Sequence, residues 1–342
     1  MEKINNVIRL LEDDTFSAMT MTEAVNRNPK VWRKIKSMGL FEPDPITTTS
    51  VVIDVEEGEV NVMPQTSRGG PSSTQKPRSP KAVTLTVPNF KRKAYVTAGD
   101  LQNVVDVSER SLMSLQSAIA KKSRPLDDSM EITHEFLMSK ALQGTVADAE
   151  GNTIVNLFTA FGKSQTTIDF NFGANGNVIG TADALDTAID EALGDETHTA
   201  TLVLCSPEFW TAMLKNKTIF DIYKNREVGP NPLINDLRGG FEFQNLVFVK
   251  YAGSVTINGN KVPFVPTNEA IALPLGTRNT FKMIYAPADL LEFANTEAQP
   301  KYLTQSLEKQ DGEDKIVVRA ETNPLPICTK PDVLIRVTKS NS

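Results

Sequence analysis

Gly162-Lys163-Ser164 is the first place where residue types suggest chemistry: at the end of a phosphate-binding loop, such glycines let backbone N–H groups cradle phosphates that the lysine reaches. The motif also needs a glycine five residues before Gly162, where this chain has Leu157, and no helical pattern opens at Lys163. A solvated turn is the expectation there. Gly173, Gly176 and Gly180 lie between a strand pattern and a helix pattern, the context in which a helix N-terminus holds a pyrophosphate. Their spacing is not G-x-G-x-x-G, so they predict a loop built on positive φ angles. The chain has two histidines, His134 and His198, well separated; a Ser-His-Asp arrangement or a His-rich metal site would rest on one isolated imidazole. Both read as structural or solvated. The carboxylate pairs Asp127-Asp128 and Asp190-Glu191 fall at expected helix ends or exposed faces, where acids are ordinary. Cys205 and Cys328 have no Cys or His neighbours, which excludes a disulfide framework and a four-ligand zinc site and predicts two reduced, mostly buried thiols. No catalytic residue, cofactor or metal site is assigned.

These residues must be positioned by a chain of 342 residues, 40% hydrophobic and 23% charged, enough for about two domains at roughly 100–200 residues each. The 36 Lys+Arg against 42 Asp+Glu leave a formal charge of -6, which excludes a protein whose whole surface grips nucleic acid through its phosphates. The opening MEKINNVIRLLEDDTF has no secretory apolar region, and no run approaches the ~18 apolar residues of a membrane span. Folding in a cytoplasm, without a membrane partner, is expected.

The first forty residues read as an arm with short helices, too small to bury much surface alone and therefore expected to lie on another domain or another chain. From Thr49, Val51, Ile53 and Val55 alternate with Val52, Asp54 and Glu56; later Val83, Leu85 and Val87 alternate with Thr84 and Thr86. Two strands of a hairpin follow from that period of two, with a bulge after Glu57-Gly58 where the apolar phase shifts to Val60 and Val62. Between them PQTSRGGPSSTQKPRSPK, residues 64–81, is polar, basic and proline-rich. It cannot bury enough surface to offset its ordering entropy, so the hairpin reads as a projecting arm with a basic tip. An interdomain linker is the plain alternative.

One helix is expected from Ser108 to Lys121 and a second, roughly 27 Å long, from Pro125 to a cap at Gly144. A hairpin turning at Glu150-Gly151 follows. The second half reads as mixed α/β: a strand at Ile168–Phe172, a helix from Ala182 to Leu193 capped by Thr181, a strand at Leu202–Cys205, and a helix opened by Ser206-Pro207. Further strands are expected over 241–251 and 281–285. Asn258-Gly259 is a two-residue hairpin turn, and the tail carries strands around Asp311-Gly312 and a last one from Val333 to Val337.

That order of parts, with Ser67-Arg68-Gly69-Gly70 in the projecting loop, resembles the major capsid proteins of tailed phages with the Hong Kong 97 (HK-97) fold, and within them the lambda-like phage capsid protein E family. Asn258-Gly259, Lys261 and Phe264-Val265-Pro266 followed by Leu273 to Gly276 look like that family's axial-domain segment. Glu321-Thr322-Asn323-Pro324-Leu325-Pro326-Ile327, then Pro331 and Val333 to Val337, is similar to its closing strand. The resemblance implies an α+β fold: an N-terminal arm (1–48), an extended loop hairpin (49–96), a peripheral domain with a spine helix (97–170), an axial domain (171–290), and return strands of the peripheral domain (291–342). It implies a non-enzymatic head protein that assembles with itself, through pentamers and hexamers, into an icosahedral shell in the virion, made in the host cytoplasm. Other implied partners are a separate scaffolding protein, since no long extension precedes the arm, a portal, a decoration protein, and packaged DNA bound without sequence specificity. A net negative charge suits a DNA container, because a strongly cationic wall would hold phosphates. The inter-subunit residues expected at the loop tip are Arg68, Gly69, Gly70, Lys76, Arg78 and Lys81, the basic ones meeting acidic surface on neighbours and the glycines allowing a sharp turn. For the same basic residues, a solvated loop that keeps the protein soluble is the plain reading. Two other functions fit less well: a nanocompartment shell of the same fold, and a soluble α/β enzyme with a flap at 64–81.

Overall fold

A computed structural model describes residues 17–27, 34–57, 79–102, 109–173, 176–194, 196–225, 240–310 and 313–340, and all structural statements concern these. The first described elements are a helix at Ala18–Arg27, a single turn at Lys34–Ser37 and strand β1 at Glu42–Pro45. This segment lies on its own chain: Met21 and Val25 pack with Leu115, Leu303 and Leu307, Ile35 is buried in the main core, and β1 runs parallel to a later strand, Phe281–Tyr285.

Strands β2 (Ser50–Glu57) and β3 (Ser79–Thr86) pair antiparallel from Ser50↔Thr86 to Glu57↔Ser79. The expected alternation is present at the root, where Val83, Leu85 and Val87 are buried, Val51 and Ile53 pack against the same core, and Val52 faces outward. Gly58, Val60 and Val62, and with them the expected bulge, lie outside the described residues. Strand β4 (Phe90–Val96) follows, then a short helix at Ala98–Gln102.

The two helices expected on either side of Pro125 are one helix, Glu109–Leu142, of 34 residues and about 51 Å. A proline inside a helix removes one N–H and crowds the preceding turn, at a cost of about 3 kcal/mol. Here burial outweighs it: Leu115, Ile119, Leu126 and Met130 continue one apolar stripe across Pro125 into a single cluster with Val96, Ile316 and Val318. The last two turns enter the main core through Phe136, Leu137, Ala141 and Leu142. Gly144 ends the helix at φ +80°, and a Cβ there would lie 2.0 Å from the Phe158 ring.

Strands β5 (Thr145–Ala147) and β6 (Thr153–Asn156) form the expected hairpin, and β7 (Thr167–Asn171) leads to the helix Val178–Leu193. That helix starts one turn before the expected Ala182, because Asn177 rather than Thr181 is the cap: its side chain accepts from the Gly180 N–H at 3.0 Å, while the Thr181 hydroxyl donates to the Asn177 carbonyl. Leu185, Ile189 and Leu193 are its buried stripe. Strand β8 (Ala200–Cys205) is buried almost throughout, and Ser206 caps the next helix, Pro207–Lys215, by accepting from Phe209 N–H at 3.2 Å. A helix at Lys217–Asn225 follows. The segment 241–251, expected as strand, folds back on itself at Gln244 into β9 (Phe241–Phe243) and β10 (Leu246–Lys250). Strands β11 (Ser254–Ile257) and β12 (Asn260–Pro263) turn at Asn258 (φ 49°) and Gly259 (φ 80°), both positive as that hairpin turn requires.

The remaining strands are β13 (Ala270–Leu275), β14 (Phe281–Tyr285), β15 (Tyr302–Gln310), β16 (Glu313–Thr322), β17 (Pro324–Cys328) and β18 (Ile335–Ser340). A 3-10 turn at Pro331–Val333 moves β18 two residues later than expected. The main sheet has the order β7-β18-β13-β8-β10-β9. Two three-stranded sheets have the orders β15-β16-β4 and β1-β14-β17. Residues 291–342 therefore divide: β15 and β16 sit beside the long helix with β4, β17 joins β14, and β18 is an inner strand of the main sheet.

Candidate functional site

The expected interface residues Arg68, Gly69, Gly70, Lys76 and Arg78 lie outside the described residues. Lys81 is on β3, opposite Val55, with only its backbone described. The described part of this arm is its root. Eight paired positions, from Ser50↔Thr86 to Glu57↔Ser79, span about 24 Å at roughly 3.4 Å per residue, and the first of them pack on the core. An open groove of about 860 Å³ borders that root, with Thr47, Val87, Lys91, Asp289 and Leu291 among its walls. Lys91 is engaged there by Asp289 at 2.8 Å and Glu321 at 3.7 Å, and Leu291 on its rim is 96% exposed.

The residues examined for chemistry take up structural positions. Gly162 ends the helix Leu157–Phe161 in the left-handed region and Lys163 pairs with Asp332 at 2.8 Å, an arrangement with no phosphate cradle. Gly176 and Gly180 are needed for close approach and not for the expected positive φ: an added Cβ would lie 1.9 Å from the Asn171 carbonyl oxygen in one case and 2.3 Å from the Asn177 side chain in the other. His198 is nearly buried between two carboxylates of one helix, Asp186 at 3.4 Å and Asp190 at 3.2 Å. Cys205 and Cys328 are free and buried, and burial pushes both thiols up, away from the reactive thiolate. Among the described residues no group of three or more His, Cys, Asp and Glu side chains is arranged to hold a metal ion.

A buried polar cluster on the long helix was not anticipated. Asp127, Glu131 and Glu135 recur every four residues and so share a helix face; Asp127 was expected at an exposed end and is buried instead. Lys301, 2% exposed, places its Nζ 2.8 Å from Asp127 Oδ1 and 2.9 Å from Glu131 Oε1. Lys36 reaches Glu131 Oε2 at 2.5 Å. Glu135 accepts the backbone N–H groups of Ile35 and Lys36 at 3.0 and 3.1 Å and the Tyr251 hydroxyl. One turn along, the Thr322 hydroxyl donates to the Pro300 carbonyl at 2.7 Å, so it receives Nε2–H of His134, also at 2.7 Å. Full burial, helped by the Lys36 and Lys301 charges, lowers the His134 pKa to about 3 and keeps the ring neutral. The cluster ties the N-terminal segment and the tail to the long helix. An acid every fourth residue on an otherwise apolar face was its one trace in the sequence.

The architecture of a long helix flanked by a three-stranded sheet, a projecting hairpin and a six-stranded sheet with helices is the Hong Kong 97-type capsid fold. Among solved structures, the chain resembles the putative capsid protein of a prophage of E. coli CFT073, with a TM-score of 0.62, 12% identity, and 95% and 99% of the two chains covered. It also resembles the capsid of Ralstonia phage GP4, with a TM-score of 0.52, 10% identity, and 92% and 93% covered. In sequence it is 25% identical to the major capsid protein of Salmonella phage Felix O1, over 95% of this chain and 97% of that protein. It is 24% identical to the major capsid protein of Pseudomonas phage KPP10, over 94% and 97%. The chain belongs to the family of phage major capsid protein E, whose sequence profile matches residues 17–339.

Proposed function

We propose that the chain does its work as a major capsid protein by assembling with itself into pentamers and hexamers that close an icosahedral shell around phage DNA, and that it has no catalytic activity. The observation that carries this reading is the β2–β3 hairpin: its root packs in the core, and its paired strands run on to Glu57 and Ser79, which bound a segment that is polar and basic in sequence. A tip of that composition gains order by lying across a neighbouring copy, which couples assembly to ordering. Arg68, Lys76, Arg78 and Lys81 would meet acidic surface on that neighbour, Arg68 by a bidentate contact that lysine cannot copy, with Gly69 and Gly70 turning the chain at the tip. The 97–170 segment with β15 and β16 serves as the peripheral domain, and the main sheet as the axial domain. A separate scaffolding protein, a portal and a decoration protein are the further partners. The DNA is enclosed without sequence-specific contacts, and assembly takes place in the host cytoplasm.

Negative-stain electron microscopy with sedimentation, on the chain expressed alone and then with a scaffolding protein, tests the proposal. Closed shells or flat rings of five and six subunits are expected. A monodisperse monomer under both conditions would overturn it.

A further inference from the structure

The groove of about 860 Å³ at the root of the β2–β3 hairpin has apolar walls, with Val87, Ala288, Leu290, Leu291 and Ala294 among them. Leu291 stands almost wholly in water at its rim, 96% exposed. Apolar walls with so exposed a leucine beside them have the make-up of a face on which another apolar face sits. Both roots of the hairpin border the same space: Thr47, Thr48 and Thr49 lead into β2, Val87 follows β3, and the Val87 N–H donates to the Thr49 carbonyl at 3.0 Å.

The chain brings one segment to this place. The helix Ala18–Arg27 starts beside the groove: the Ser17 hydroxyl caps it by accepting from the Thr20 N–H at 3.2 Å, and Ala18 packs on the cluster of Ala288, Phe293 and Tyr302, of which Ala288 is also groove wall. Upstream of that point, Ile4, Val7, Ile8 and Leu11 recur at the spacing of one helix face. A helix over residues 4–11 is about 12 Å long, and residues 12–16 can span up to about 17 Å, which is reach enough from Ser17 to the groove. Other segments outside the described residues match the walls less well: the loop tip over 64–78 has no large apolar side chain, and residues 28–33 offer only Val31 and Trp32.

From this placement we propose that the chain's own residues 4–11 dock in the groove, setting Ile4, Val7, Ile8 and Leu11 against Leu290 and Leu291, and brace the base of the β2–β3 hairpin. The filled groove holds Thr47–Thr49 and Val87 against the Ala288–Leu291 wall, and so fixes the direction in which the hairpin leaves the body. The contact is complete in one subunit and does not depend on the shell reading.

Cysteine pairing in the full-length chain tests it, because the native Cys205 and Cys328 are buried and Leu291 is exposed enough to be replaced without loss of packing. In Val7→Cys/Leu291→Cys, mild oxidation is expected to close a disulfide within the chain, read by peptide mapping. Asn6→Cys/Leu291→Cys has nearly the same tether with the thiol on the opposite helix face, and is expected to close roughly tenfold more slowly. Deleting residues 1–11 is expected to speed maleimide labelling of Leu291→Cys by about tenfold, as a covered site becomes open. Equal closure in the two pairs, closure in neither, or labelling of Leu291→Cys unchanged by the deletion would overturn the proposal. A disulfide joining two chains would overturn it as well, and assign the groove to the same segment of a neighbouring copy.

Discussion

At the scale of single residues, the cluster on the long helix sets the clearest expectations. Glu135 satisfies two backbone donors of the N-terminal segment and the Tyr251 hydroxyl, and each buried donor left unpaired costs about 1–3 kcal/mol. Glu135→Leu should therefore lose roughly 3–5 kcal/mol in urea unfolding and expose the segment around Lys34–Ser37 to protease. His134 gives the pH dependence. It is neutral in the folded chain down to about pH 3, whereas in the unfolded chain it takes up a proton below its ordinary value of 6.5. Its contribution is fully present above pH 6.5 and is lost as pH falls from there toward 3, by about 1.4 kcal/mol per pH unit at the steepest. His134→Gln should flatten the fall of melting temperature between pH 6.5 and 4 relative to wild type; identical slopes would refute the assignment. None of these partnerships was legible in the sequence, because Lys36, Tyr251, Lys301 and Thr322 reach the helix from positions about 95 to 190 residues away.

At the scale of elements, local chemistry was legible where it acts within a few residues. Ser206-Pro207 opens a helix and Asn258-Gly259 closes a hairpin as their types require, and the alternation over 83–87 gives the face that β3 buries. Ser206→Ala should cost about 1 kcal/mol, read as a drop in melting temperature without change of fold. Gly144→Ala should cost more, roughly 1–3 kcal/mol, since it adds a strained φ to a clash with Phe158. The sequence reading failed at Pro125 and at the Val178–Leu193 helix start for different reasons. At Pro125, propensity marks what the segment prefers in isolation, while the burial of Leu126 and Met130 beyond the proline is decided by the folded surroundings; at the other helix two local caps competed, and Asn177, three residues before Gly180, is the one used rather than Thr181. Strand partners were equally hidden: alternation shows that β18 buries a face, and cannot show that it lies between β7 and β13.

At the scale of the molecule, the arm and the body should separate cleanly by experiment. Arg68→Ala is expected to leave the unfolding free energy of the free subunit within about 0.5 kcal/mol of wild type, as for a surface change, and to lower the yield of sedimenting shells. Normal shells from that variant would count against the role given to the tip. The place of β18 has a different consequence, for the order of events at the ribosome. It is synthesised after every other strand of the main sheet, yet it lies inside that sheet, joining β7 on one side to β13 on the other. Until it emerges, β7 has no partner strand and β13 keeps one open edge, so a nascent or prematurely released chain lacks the finished main sheet. Subunits broken off during translation are thereby marked as incomplete by their own fold, before they can join a growing lattice of finished ones.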